Sequence, residues 1–332
     1  MAVLVTGGAG FVGLNVVEQL LMRGEEVVIF GREPLPAAAA RAFAPLSGKL
    51  SLIQGDVRDA GALRSVFGNF SIDRLFPLAA ITAGPSRESE DTETVLDVNL
   101  RGAAVTLRMA REAKVKRIVF PSSISVYGES LNTHGLLRED TTPPVPNSIY
   151  GVTKYAGERM ALRLKELWGL DLVCARIGSV FGPWERDTGV RDLCGATMQM
   201  SLAALRSTHA VLPDKLLPRP WIYARDLARG LIVLLDAKSL KYPVYNIGSG
   251  LDWAPHMHVW PKLLAGAFPQ FSWSVSDKPQ EVNIDFRDPK PRGIEDISRI
   301  SQEFGFSPQF LPAAAFADYL DWLQRFPDYF DH

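Results

Sequence analysis

Residues Thr6-Gly-Gly-Ala-Gly-Phe-Val-Gly13 leave the chain little choice in how it begins. They follow the apolar run Val3–Val5 and open an amphipathic stretch over Val12–Arg23. Glycines at 7, 10 and 13 permit a tight turn, a close approach of backbone to a pyrophosphate, and close packing of helix on strand. The N–H groups at the helix start then supply an anion site. A glycine pattern alone is weak, but between a strand and a helix it points to dinucleotide binding. Gly7, Gly10, Phe11, Val12 and Gly13 are the residues expected to hold the phosphates.

The same strand–helix alternation continues. Glu26–Phe30, Leu50–Gln54, Leu75–Ala79, Arg117–Phe120 and Leu172–Arg176 read as strands buried on both faces. Ala60–Phe67, Thr92–Ala113 and Tyr150–Trp168 read as helices between them. Such alternation predicts an α/β fold, a Rossmann doubly wound parallel sheet with helices on both faces. After Gly178 the rhythm breaks into Gly/Pro punctuation, with sheet-like stretches returning near Trp221–Tyr223 and Val244–Ile247. The expectation is a dinucleotide domain over 1–175 with returning segments near 221–247, and a smaller interleaved C-terminal substrate-binding lobe from 176–220 and 248–332.

Composition narrows the function. The 332 residues carry 36 Lys+Arg against 37 Asp+Glu, so no basic excess marks a nucleic-acid partner. Two cysteines, Cys174 and Cys194, cannot build a disulfide framework and suggest a reducing compartment. No apolar run approaches a membrane span, and no cleavage signal precedes the glycines. The reading is a soluble, cytoplasmic protein with a small-molecule substrate. His256-Met-His258 lacks carboxylate or thiol neighbours at ligand spacing, so no metal is expected. No Gly-x-Ser-x-Gly elbow is present either.

The end of the second strand would meet the adenosine ribose. An acid there binds the 2′-hydroxyl of NAD, whereas an arginine accommodates the 2′-phosphate of NADP. Gly31 takes the acid's place and Arg32 follows, which tilts the cofactor from NAD toward NADP; Glu33 keeps NAD as the alternative. Asp56 and Val57 would meet the adenine. Tyr150 and Lys154 stand four apart on a helix and share a face. A neighbouring ammonium favours the phenolate, which equips a tyrosine for proton exchange. Phe120-Pro-Ser-Ser-Ile-Ser-Val-Tyr-Gly128 brings hydroxyls to a strand end, with Ser123 favoured over Ser122 and Ser125.

The glycine loop, Ser123, Tyr150-x-x-x-Lys154 and Asn99 within Asp97-Val-Asn-Leu-Arg-Gly102 together resemble the extended short-chain dehydrogenase/reductase family, of NAD-dependent epimerase/dehydratase type. The similarity runs through Tyr245-Asn-Ile-Gly-Ser-Gly250 to the end of the chain. It implies that Tyr150 exchanges the hydroxyl proton, Lys154 binds the nicotinamide ribose, and Ser123 orients the substrate hydroxyl. Leu78, Ala79, Ala80 and Asn99 fall on the family's cofactor side, Asn99 mainly as a support of the catalytic helix. A homodimer through the helices near Thr92–Ala113 and Tyr150–Trp168 is implied as well.

Departures from the family narrow the chemistry. Sugar dehydratases carry Thr-Asp-Glu where this chain has Ser123-Ile124-Ser125, and Ile124 cannot donate a proton. Ser179 stands in Arg176-Ile-Gly-Ser179 where nucleotide-sugar enzymes have asparagine, while Arg219 matches an arginine that often contacts a diphosphate. Thr82, Arg87, Ser179, Trp184, Arg186, Arg191 and Arg219 are the expected substrate contacts, the four arginines forming a cationic pocket. The resulting expectation is an NAD(P)-dependent oxidoreductase acting on a secondary alcohol of a sugar, sugar acid or similar polyhydroxylated molecule. The alternatives are a sugar or nucleotide-sugar epimerase with tightly bound NAD, and a non-catalytic dinucleotide sensor.

Overall fold

The first strand shows why the sheet lies at the centre. Val3 and Val5 face one side and Ala2 and Leu4 the other, and none is more than 1% exposed. A strand apolar on both faces is stable only with layers on both sides. The computed structural model describes residues 1–192, 194–286 and 290–330. In it β1 (Ala2–Thr6), β2 (Glu26–Gly31), β3 (Lys49–Gln54), β4 (Ile72–Pro77), β5 (Arg117–Ser123), β6 (Leu172–Ile177) and β7 (Val244–Ile247) form one sheet. Its order is β3-β2-β1-β4-β5-β6-β7, and every neighbouring pair is parallel. This is the Rossmann doubly wound arrangement, whose order reverses between β1 and β4 and leaves a crevice there.

Each face of the sheet has its own core. Helix α1 (Phe11–Met22) and helix α3 (Ala224–Asp236) cover the Val3/Val5 face, with Leu14, Val17, Leu227 and Leu231 buried against it. The Ala2/Leu4 face packs Leu107, Met109 and Ala161, the last from α2 (Ile149–Trp168). Ser148 caps α2 by accepting from Gly151 N at 3.0 Å, and Gly169 ends it at φ 65°. The proline-rich approach to α2 is pinned where Val145 pairs with Gly128. A Cβ at Gly128 would lie 1.8 Å from Val145 O, so glycine is required there.

Two elements depart from the sequence reading. The fourth strand ends at Pro77 instead of Ala79, because its partner β1 turns into the glycine loop after Thr6. The expected helix over Thr92–Ala113 is three pieces: Thr92–Leu96, a π-helical segment Asp97–Gly102, and Ala103–Glu112. Of the later sheet-like stretches, Val244–Ile247 joins the main sheet, whereas Trp221–Tyr223 pairs with Ser179–Phe181 in a separate ribbon. The C-terminal helix Pro312–Arg325 closes an aromatic cluster in which Trp260 stacks on Tyr319 at 4.8 Å. No helix among the described residues is long and apolar enough to cross a membrane.

Candidate active site

A cleft of about 580 Å³ opens at the carboxyl ends of the central strands, over the crevice. Gly7, Gly10, Phe11, Val12 and Gly13 line it. Gly7 has φ +66°, and a Cβ there would sit 2.7 Å from Ala79 Cα; one at Gly13 would sit 2.6 Å from Gly7 O. The loop is thus closed tightly on itself and on the end of β4. Helix α1 starts at Gly10 with no side-chain cap and no acid in its first turn, which leaves its leading N–H groups for an anion. Leu78, Ala79 and Ala80 continue the wall.

Arg32, Glu33, Asp56 and Val57 line the cleft from β2 and the segment after β3. Asp56 is engaged by Arg58 at 2.7 Å, and this guanidinium holds its carboxyl below the usual carboxylate range. Arg58 also reaches Asp97 at 2.9 Å, tying the strand end to the π-helical segment.

Tyr150 and Lys154 project from the first turns of α2 into the cleft, with Lys154 Nζ 5.6 Å from the centre of the Tyr150 ring. Lys154 Nζ donates to Pro121 O at 3.2 Å, which locks the ammonium to β5. Ser123 lines the cleft at the end of that strand and accepts from Ser125 N at 3.1 Å. Its Oγ also lies 3.2 Å from Ser125 Oγ. Ser122 turns inward, donating to the buried Glu158 at 2.6 Å. Glu158 in turn holds Arg176 at 2.7 and 3.0 Å.

Other expected residues stand elsewhere. Asn99 does not line the cleft; it is buried, accepts from Ile81 N at 2.8 Å, and donates to Ile81 O and Thr153 Oγ1. It thereby fastens the loop after β4 to α2. Thr82, Ser179, Arg191 and Arg219 line the cleft. Trp184 is a correction: it is fully buried in the aromatic cluster, 5.0 Å from Trp322, with its indole N–H on Glu18. Arg87 and Arg186 are also outside the cleft. Arg87 forms an ion pair with Asp192 at 2.7 Å, and Arg186 lies over the Tyr329 ring. The four-arginine pocket is therefore reduced to two members, and Arg191 is engaged by the buried Glu185 at 2.8 Å.

Several lining residues carried no signal in the sequence. Arg292, Trp221 and Phe286 reach the cleft from C-terminal segments. Glu88 reaches it from the short helix Pro85–Glu90, where its Oε1 accepts from Tyr150 N at 2.9 Å. That contact joins residues 62 apart in the chain, beyond any spacing rule. Among the described residues, no three His, Cys, Asp or Glu side chains gather as a metal-ligating group.

The family model described as the NAD dependent epimerase/dehydratase family matches residues 3–248. UDP-glucuronate 4-epimerase 4 of Arabidopsis thaliana is 32% identical over 248 residues, 71% of this chain and 54% of that protein. The dTDP-4-dehydro-6-deoxy-D-allose reductase of a Streptomyces species is 27% identical over 317 residues, 94% of this chain and 93% of that one. Among solved structures, the UDP-glucose 4-epimerase of Thermus thermophilus in complex with NAD superposes with a TM-score of 0.74 at 25% identity. That match covers 98% of this chain and 99% of the other. The chain spans about half the length of the first curated relatives it matches.

Proposed function

Since the chain belongs to the NAD-dependent epimerase/dehydratase family of enzymes, we propose that it oxidises or reduces a secondary alcohol of a sugar carried on an anionic, nucleotide-like group. The observation that carries this reading is Tyr150, Lys154 and Ser123 lining one cleft with the glycine loop. The residues fit a dinucleotide: the uncapped start of α1 suits its pyrophosphate, and Asp56 and Val57 suit its adenine. When bound, NAD(P) supplies hydride chemistry at the substrate carbon. The protein's part is to move the proton and hold the oxygen. Ser123 Oγ orients the reacting hydroxyl, and the Tyr150 phenol exchanges its proton. The Lys154 ammonium, anchored by Pro121 O and 5.6 Å from the centre of the Tyr150 ring, would hold the nicotinamide ribose. Arg219 and Arg292 on the cleft wall suit the anionic group.

A second reading, 4-epimerisation with retained NAD, is favoured by the names of the epimerase relatives. Absorbance at 340 nm separates the two, since net redox consumes cofactor and epimerisation leaves it unchanged. Under either, Tyr150→Phe lowers turnover by about 10²–10⁴-fold with cofactor affinity retained. Near-normal turnover would refute the assignment. For the cofactor, NADP is carried over NAD because Arg32 lines the cleft beside Gly31. Arg32→Ala then weakens NADP binding far more than NAD binding in a fluorescence titration, and equal losses return the site to NAD. The cytoplasm is the proposed compartment, on the cysteine content. A homodimer through the outer helices accords with the exposure of Val152 and Leu167 on α2.

A further inference from the structure

The hydroxyls at the end of β5 are not equivalent. Ser122 donates to the buried Glu158 at 2.6 Å, so its hydrogen is committed there. Ser123 and Ser125 both line the cleft, with their Oγ atoms 3.2 Å apart. Ser123 Oγ also accepts from Ser125 N at 3.1 Å, which fixes the oxygen and fills one of its two lone pairs. Ser125 Oγ has no other hydrogen-bond partner among the described residues. The short turn Ile124–Val126 that carries Ser125 is pinned beside the reacting tyrosine. Ser125 O accepts from Gly128 N at 3.2 Å, and a Cβ at Gly151, next to Tyr150, would lie 2.7 Å from the same oxygen.

We propose that Ser125 is a positioning residue that acts through Ser123, making its hydroxyl a fixed donor to the reacting oxygen. The inference rests on the sugar-nucleotide reading above and adds a residue to its machinery. The reacting oxygen exchanges its proton with Tyr150. As an alcohol it has that hydrogen committed, and as a carbonyl it has none, so in both states it needs a donor on its other side. Ser123 has one hydrogen and one open lone pair. With the lone pair open, the alcohol can donate to Ser123 in place of Tyr150, which leads nowhere. A hydrogen from Ser125 Oγ fills that lone pair and leaves Ser123 only its own hydrogen to offer. Within the protein the Ser123 hydrogen rests on Ser125 Oγ, so the pair reverses when a substrate oxygen takes it. Hydrogen bonds in such a chain polarise one another, which strengthens the donor where charge builds on the oxygen. No proton passes along the pair; two hydrogen bonds change direction.

The test is a double-mutant cycle on the full chain loaded with NAD or NADP, with UDP-glucose and UDP-glucuronate as substrates. The hydride step is read at 340 nm in a single turnover, and the sugar product by chromatography. Ser125→Ala slows the step about 2–10-fold, the range of one neutral hydrogen bond, at unchanged KM, cofactor affinity and melting temperature. Ser125→Thr keeps the hydroxyl and restores the rate. Ser123→Ala costs about 10²-fold or more, and in that background Ser125→Ala costs nothing further. Additive losses, or a loss carried by KM, show that Ser125 meets the substrate directly and overturn the proposal. An unchanged rate in Ser125→Ala overturns it as well, while leaving the sugar-nucleotide reading intact. A wild type that turns over neither substrate refutes that reading, and this proposal with it.

Discussion

Glu295 is a deeply buried carboxyl. It is 1% exposed, and neither side-chain oxygen has a partner among the described residues. It sits in a cradle of two glycines at adjacent strand ends. A Cβ at Gly178 would lie 3.0 Å from Oε1, and one at Gly248 would lie 2.7 Å from Oε2. Burial pushes its pKa up to about 8, against the pull of its own N–H and of Arg292. The folded protein therefore holds a proton that the unfolded chain, near 4.5, releases earlier. The resulting stabilisation is complete below about pH 4.5 and is lost as pH rises through about 8. Glu295→Gln cannot ionise, so its unfolding free energy from urea titration gains on the wild type between pH 5 and 8, by up to about 1.4 kcal/mol per pH unit. A pH-independent difference would show that Glu295 is charged throughout. No pattern in the sequence marks this residue, nor Glu88 or Arg292, because their partners are brought up by distant segments. Tyr150, Lys154 and the glycine loop are legible because each lies within one element, where spacing fixes geometry.

At the scale of elements, the catalytic helix is held in phase by a buried ion pair. Glu158 lies four residues beyond Lys154 and eight beyond Tyr150, so all three share a face of α2. Its carboxylate takes Ser122 of β5 and Arg176 of β6, with side-chain exposures of 1% and 6% for the pair. Arg176 in turn covers the Tyr127 ring at 4.8 Å, and Tyr127 donates to Asn246 of β7 at 2.9 Å. Removing one member leaves a buried charge uncompensated, so Glu158→Ala costs about 3–5 kcal/mol, measured by urea unfolding. Replacing both members with apolar residues recovers much of that loss. A single-site cost below about 1 kcal/mol would show that the pair is solvated. The break in the Thr92–Ala113 helix belongs to the same scale. Apolar periodicity runs through it, yet Asn99 must reach Ile81 and Thr153 at once, and the wider turn of Asp97–Gly102 brings it there. Periodicity reports which face is buried and is silent on a single inserted residue.

For the whole molecule, the parallel sheet and its helical layer on each face follow from alternation of apolar runs with amphipathic ones, and this much is readable from the chain alone. The substrate side is not. Trp184 and Arg186 follow the Gly182-Pro183 turn, which directs them to the cleft in sequence, but the C-terminal residues Trp322 and Tyr329 close over them. Tyr329 also donates to Trp184 O at 2.9 Å, so the last turn of the chain decides what a loop in its middle faces. That information is spread over some 145 residues and has no local trace.

The seventh strand has a consequence for synthesis. Val244 pairs with Cys174, so 70 residues separate the two edges that must meet. At about 5–20 residues per second, the ribosome leaves β6 as an open sheet edge for roughly 4–14 s before β7 emerges. An uncovered parallel edge is a template for pairing with other chains. The nascent protein is thus most exposed to aggregation when its nucleotide half is already made, until the latecomer strand replaces the six-residue edge of β6 with its own four-residue one.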